Sequence, residues 1–124
     1  MTKPIDLAKG YMNSFFGQAP IDEMESLLAD DLIFDGPFHK SATAKEYLNI
    51  LRENPPKDVH YNLENVYEDE NSVCLIYLFS KPRVETRMAQ TFEITDGKIC
   101  KIKLVFDTNA FTKKITTRQG VLLM

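Results

Sequence analysis

An α+β fold, a curved antiparallel sheet packed on three N-terminal helices, is predicted by three observations. Apolar residues near the start recur at helical spacing, at Ala8, Tyr11, Met12, Phe15 and Phe16. Residues 59–107 instead carry strand-length apolar runs separated by short polar turns. The two patterns are segregated along the chain, which argues against interleaved α/β architecture.

The elements follow in order. Pro4 suits the first turn of a helix, and Gly17 ends it. Asp22 can cap a second helix, with Met24, Leu27 and Leu28 inward, which stops near Ala29-Asp30-Asp31. Residues 32–35 read as a brief strand before the turn at Gly36-Pro37. Ser41 or Thr43 caps a third helix, with Tyr47, Leu48 and Leu51 inward, and Pro55-Pro56 stops it. Residues 59–67 alternate in part. Residues 72–80 are apolar on both faces, as expected of a strand covered on both sides. From 83 to 94 the even positions are mostly apolar and the odd ones mostly polar. Asp96-Gly97 supplies a tight hairpin turn, and the chain returns over 99–107 with Ile102, Leu104 and Phe106 on one face. The apolar end, residues 121–124, is expected to dock on its own chain or on a partner.

At 124 residues the chain fits one domain, 1–124, with a core over about 5–111 and a tail over 112–124. Hydrophobic residues make up 44% and charged residues 27%, enough apolar content to pay for folding without staples. The net charge of −3 comes with no basic stripe, so no nucleic-acid partner is expected. The longest apolar block, 73–79, is far too short to span a bilayer, so no membrane partner is expected. Met1-Thr2-Lys3-Pro4 is not followed by an export signal, which makes the cytoplasm the expected location. Cys74 and Cys100 lie in strand patterns without metal-ligand spacing and read as small buried hydrophobes. No nucleophile elbow or phosphate-binding glycine loop is present, and no metal or cofactor is expected.

Three stretches carry a family resemblance. The first is Tyr11-Met12-Asn13-Ser14-Phe15 with the acidic segment ending Leu28-Ala29-Asp30-Asp31. The second is Ile33-Phe34-Asp35-Gly36-Pro37 leading into Ala42-Thr43-Ala44-Lys45-Glu46-Tyr47-Leu48. The third is Thr91 to Ile99, then Ile102 to Asp107 and Phe111. In order and spacing the chain resembles the nuclear-transport-factor-two-like superfamily, shared by ketosteroid isomerase and the SnoaL-like polyketide cyclases. The resemblance implies a cone-shaped, cystatin-like α+β roll with a pocket in its wide end. It also implies a homodimer through the outer sheet face, and a superfamily that holds both enzymes and non-catalytic binding modules.

The candidate residues follow from this frame. Asp35 matches the neighbourhood of the isomerases' proton-shuttling base, though counted from Ala29-Asp30-Asp31 it falls one position early and Gly36 takes the base's place. Its other reading is a carboxylate that bonds backbone amides in the turn. Tyr11 matches the helix tyrosine that donates to a developing oxyanion, or else is an amphipathic core tyrosine. Gln90 stands where the isomerase pattern carries a protonated acid; an amide can donate a hydrogen bond but cannot exchange a proton. Phe15, Phe34, Met88 and Phe92 are expected to line the pocket around a small, largely apolar ligand. His60 shares a strand parity with Asn62 and Glu64, opposite the apolar Val59, Tyr61 and Leu63. Parity turns His60 outward, and a bulge would bring it into the pocket as a base. Asp107 ends the last strand, where it lines the pocket or caps the strand end. The function these residues imply is binding of a small apolar organic molecule, with cofactor-free isomerase or cyclase chemistry by Asp35, Tyr11 and Gln90. The competing reading is a non-catalytic binding or dimerisation module.

Overall fold

The computed structural model describes residues 3–112. The expected docking of residues 121–124 lies outside the described residues. The elements run α1 (Pro4–Phe15), α2 (Ile21–Glu25), β1 (Leu28–Asp35), β2 (Lys40–Ser41), α3 (Ala44–Glu53), β3 (His60–Glu68), β4 (Ser72–Lys81), β5 (Val84–Thr95), β6 (Lys98–Phe106) and α4 (Asn109–Thr112). The six strands form one sheet in the order β2-β1-β6-β5-β4-β3. Neighbouring strands are antiparallel except β1 and β6, which run parallel. The long strands β3–β6 pair antiparallel as expected, and β1 joins β6 in parallel at the end of that run.

The inner face of the sheet and the inward faces of the helices make one core. Ala8, Tyr11 and Met12 of α1 pack with Leu75 and Tyr77 of β4, Phe92 of β5 and Ile102 of β6, all buried. The alternation of β5 is realised as written, with Val84, Met88, Gln90 and Phe92 buried and Glu85, Arg87 and Glu93 exposed. β4 is different from its expectation. Val73, Leu75, Tyr77 and Phe79 are buried, but Cys74, Ile76 and Leu78 on the other face are only half-buried. Cys74 and Cys100 are free thiols and half-buried, because both fall on strand positions outside the core.

The second helix is shorter than its pattern suggested, and the strand after it is longer. Leu28 already pairs with Ile99, and the Ile99 amide donates to the Leu27 carbonyl at 2.8 Å. Ladder hydrogen bonds to β6 outweigh the helical spacing of Leu27 and Leu28, and a register shift between Leu28 and Ile33 absorbs the two acids between them. The β5–β6 turn uses left-handed backbone at Asp96 and Gly97, as its sequence requires. Lys81 ends β4, and Arg83, also left-handed, turns the chain into β5.

α3 is held at its start by Thr43, whose hydroxyl accepts from the Glu46 amide at 3.1 Å, while the Glu46 carboxylate accepts from the Ala42 amide at 2.9 Å. This reciprocal cap aims Tyr47 at the core. Thr43→Ala is expected to cost about 1 kcal/mol of stability, read as a lower urea midpoint with an unchanged slope.

Candidate functional site

The helices do not fill the hollow of the sheet. They leave a cavity of about 240 Å³ whose wall is largely aromatic and aliphatic. The exposed Phe38 marks its mouth, where it meets Phe106 and Phe111 edge-on at 5.3 and 5.5 Å. Among the described residues no Lys, Arg, Asp or Glu side chain belongs to the wall.

The deep end carries the polar groups. Tyr11 comes from α1, Tyr47 from α3, Tyr77 from β4 and Gln90 from β5, and each is almost fully buried. The Tyr11 and Tyr47 hydroxyls are hydrogen bonded to one another. The Tyr77 hydroxyl donates to Gln90 Oε1 at 2.8 Å. Strand register makes this second pair possible, because Leu75 faces Gln90 and Tyr77 faces Met88 across β4 and β5, one inward position apart. The aromatic rings are packed accordingly, with Phe34 stacked on Tyr47 at 4.6 Å and Tyr11 edge-on to Phe92 at 5.3 Å.

Burial controls the phenols. It pushes the Tyr11 hydroxyl up to about 12, against hydrogen bonds from Tyr47 and Gln90 that favour the ionised form. Tyr47 is raised well above the ordinary phenol range, by burial first and then by Tyr11 beside it. Tyr77 is raised strongly, again by burial first. Either hydroxyl can be the donor of the Tyr11–Tyr47 bond. One phenol hydrogen bridges the two oxygens, which leaves the other phenol hydrogen and the second Gln90 amide hydrogen available to donate elsewhere.

Several expected site residues lie elsewhere. Tyr11, Gln90, Phe15, Phe34 and Met88 do line the cavity. Asp35 does not. On β1 it alternates with the inward Phe34, so its carboxylate sits on the outer side, 42% exposed, 3.6 Å from Lys40 Nζ. Phe92 is wholly buried behind Tyr11 and forms core rather than wall. His60 is exposed on β3; the register shift in that strand falls between Leu63 and Asn65, too late to turn it inward. Asp107 is exposed, and its carboxylate accepts from the Asn109 amide at 3.0 Å, which caps α4. Arg87 pairs with Glu64 on the outer face, Nε to Oε1 at 2.6 Å.

The sequence reading missed three groups, Tyr47, Tyr77 and His39. Tyr47 and Tyr77 read as ordinary inward aromatics, and only their hydroxyl partners distinguish them. His39 lies in the loop between β1 and β2, which has no periodicity to place it, yet its ring reaches the cavity wall. Among the described residues no group of three or more His, Cys, Asp or Glu side chains comes together to hold a metal.

Unfolded tyrosines ionise near pH 10, whereas folded Tyr11 holds its proton to about 12. Over that window the unfolded chain binds fewer protons than the folded one, so stability falls as pH rises. The contribution is complete below pH 10 and is lost on the order of 2–3 kcal/mol by pH 12. Urea unfolding between pH 9 and 12 is expected to show this slope, and Tyr11→Phe is expected to make it shallower.

Among the solved structures that share the fold are the following three. An NTF2-like protein of unknown function from Cytophaga hutchinsonii is 18% identical, over 88% of this chain and 94% of that one, with a TM-score of 0.75. An LEH-like epoxide hydrolase from M. tuberculosis is 18% identical, over 86% of this chain and 84% of that one, with a TM-score of 0.71. An NTF2-like protein from Burkholderia thailandensis is 17% identical, over 89% of this chain and 95% of that one, with a TM-score of 0.70. No curated protein matches the chain by sequence. The profile of the SnoaL-like domain matches residues 8–102, which contain most of α1, the whole of β5 and most of the cavity wall. The chain therefore belongs to the SnoaL-like family, within the nuclear-transport-factor-two-like superfamily.

Proposed function

We propose that this protein binds a small, uncharged, largely apolar organic molecule in the cavity and fixes one polar atom of it at the Tyr11–Gln90 end. The observation that carries this reading is the distribution of polarity. Among the described residues the wall holds no Lys, Arg, Asp or Glu side chain, while three phenols and an amide are sequestered at its deep end with donor hydrogens to spare. A wall of that kind rejects ions and rewards a ligand with one hydrogen-bond acceptor. Fold relatives include an epoxide hydrolase, so small-molecule turnover suits this architecture. Cofactor-free isomerase or cyclase chemistry is the finer form of the proposal. Tyr11 and Gln90 keep their part in it as donors, and the outward Asp35 loses the part of base. 2-Naphthol and naphthalene separate the polar and apolar contributions by calorimetry. Tyr11→Phe is expected to weaken 2-naphthol about tenfold, the value of roughly one hydrogen bond, and to leave naphthalene unchanged. Absence of binding by either compound would refute the proposal.

A second reading has its own observation. The outer sheet face exposes Ile33, Tyr67 and Val105, with Val105 57% exposed beside the half-buried Ala89 and Ile76. We propose that a second copy of the chain docks there, whether or not the cavity is catalytic. Light scattering is expected to give a dimer for the parent chain and a monomer for Val105→Glu.

A further inference from the structure

Among the described residues the cavity wall contains one imidazole, that of His39. The loop that carries it is closed by the Gly36 amide, which donates to the His39 carbonyl at 3.0 Å. The ring packs beside Phe34 and Tyr47, with centroids 6.0 and 6.3 Å away. Its Nε2 is hydrogen bonded to Ser41 Oγ. Ser41 is buried and takes no part in the wall, so it orients the imidazole and does not meet a ligand. Nδ1 has no hydrogen-bond partner among the described residues. In the tautomer that donates from Nε2 to Ser41 Oγ, Nδ1 carries the free lone pair that can accept a proton.

The donors stand in line with it. Tyr47 packs against the imidazole on one side and hydrogen bonds Tyr11 on the other, with Tyr47 and Tyr11 ring centroids 6.4 Å apart. The groups around the imidazole are Phe34 from β1, Ser41 from β2 and Tyr47 from α3. Of these only Tyr47 titrates, and burial keeps it neutral until strongly alkaline pH. Lys40 and Asp35 pair with each other on the outer side.

We infer that His39 is the proton acceptor of the cavity. It would act on uncharged, flat carbon acids whose released electron pair ends on an oxygen facing the Tyr11 hydroxyl. The inference rests on the cavity being a ligand site, and it moves the base from the carboxylate at position 35 to the imidazole four residues later. Phe34 and Tyr47 supply a flat stacking wall. A wall without charged side chains among the described residues selects neutral substrates.

5-Nitrobenzisoxazole is a suitable probe. His39 removes the C3 proton, the C–H electron pair becomes the third bond of a nitrile, and the N–O bond breaks. The oxygen leaves as a phenolate toward Tyr11, and no second reactant is needed. The parent chain is expected to show saturable turnover. His39→Gln should lower kcat about 100-fold or more, with KM changed less than threefold. Added imidazole should restore part of the activity of His39→Ala, which a merely structural role would not allow. Ser41→Ala should lower kcat about threefold to tenfold with KM unchanged, as expected of a positioning residue. Circular dichroism checks that each variant is folded. Turnover indifferent to His39, or binding of the product 2-cyano-4-nitrophenol with no turnover of the probe, overturns His39 as the base and leaves the ligand site standing. If neither probe nor product binds, the ligand site falls and the inference falls with it.

Discussion

A buried amide has to be hydrogen bonded, and meeting that demand organises the middle of this molecule. Gln90 lies on the inward face of β5 between Met88 and Phe92, where water does not reach it. Left unpaired it would cost about 1–3 kcal/mol. The register of β4 against β5 brings Tyr77 close enough to donate to it. α1 lays Tyr11 over the same place, and α3 completes the set with Tyr47. Four elements converge on one polar cluster, so a slip in the register of β4 against β5 would break it.

The cluster also explains why the cavity stays open. Phenols held in mutual hydrogen bonds cannot rotate to fill space, and the rings around them are locked by stacking and edge contacts. The volume left over is apolar at its mouth and polar at its deep end. That gradient gives a ligand a direction. Its hydrophobic body would sit among Phe15, Phe34 and Met88, and its acceptor atom would meet Tyr11. The same burial that fixes the phenols keeps them protonated, so at neutral pH they donate hydrogen bonds and do not act as bases.

The outer face of the sheet follows a different logic. Two ion pairs lie on it, Asp35 with Lys40 and Glu64 with Arg87, at the surface where solvent screening makes each worth little. Between them runs an apolar strip through Ile76, Ala89 and Val105. The alternation of the strands thus sorts the two roles. One face encloses the cavity, and the other leaves a surface on which another chain can dock.

The sequence by itself determined the segregation of helices from strands, the inward face of β5 and the Asp96-Gly97 turn, because each is written in local periodicity or turn chemistry. It also placed Tyr11, Gln90 and Met88 inward, since strand and helix parity decide which way a side chain points. Parity was equally available for Asp35, which alternates with Phe34 and therefore turns outward; the pull of a family pattern, one position out of register, obscured it. Only the tertiary structure decided the rest. The parallel pairing of β1 with β6 is a long-range choice with no local signature. The partners of Tyr47 and Tyr77 come from elements far apart in the chain. His39 sits in a loop, where no period tells which way a ring will face, and the packing of Phe34, Ser41 and Tyr47 around it turns the imidazole to the cavity.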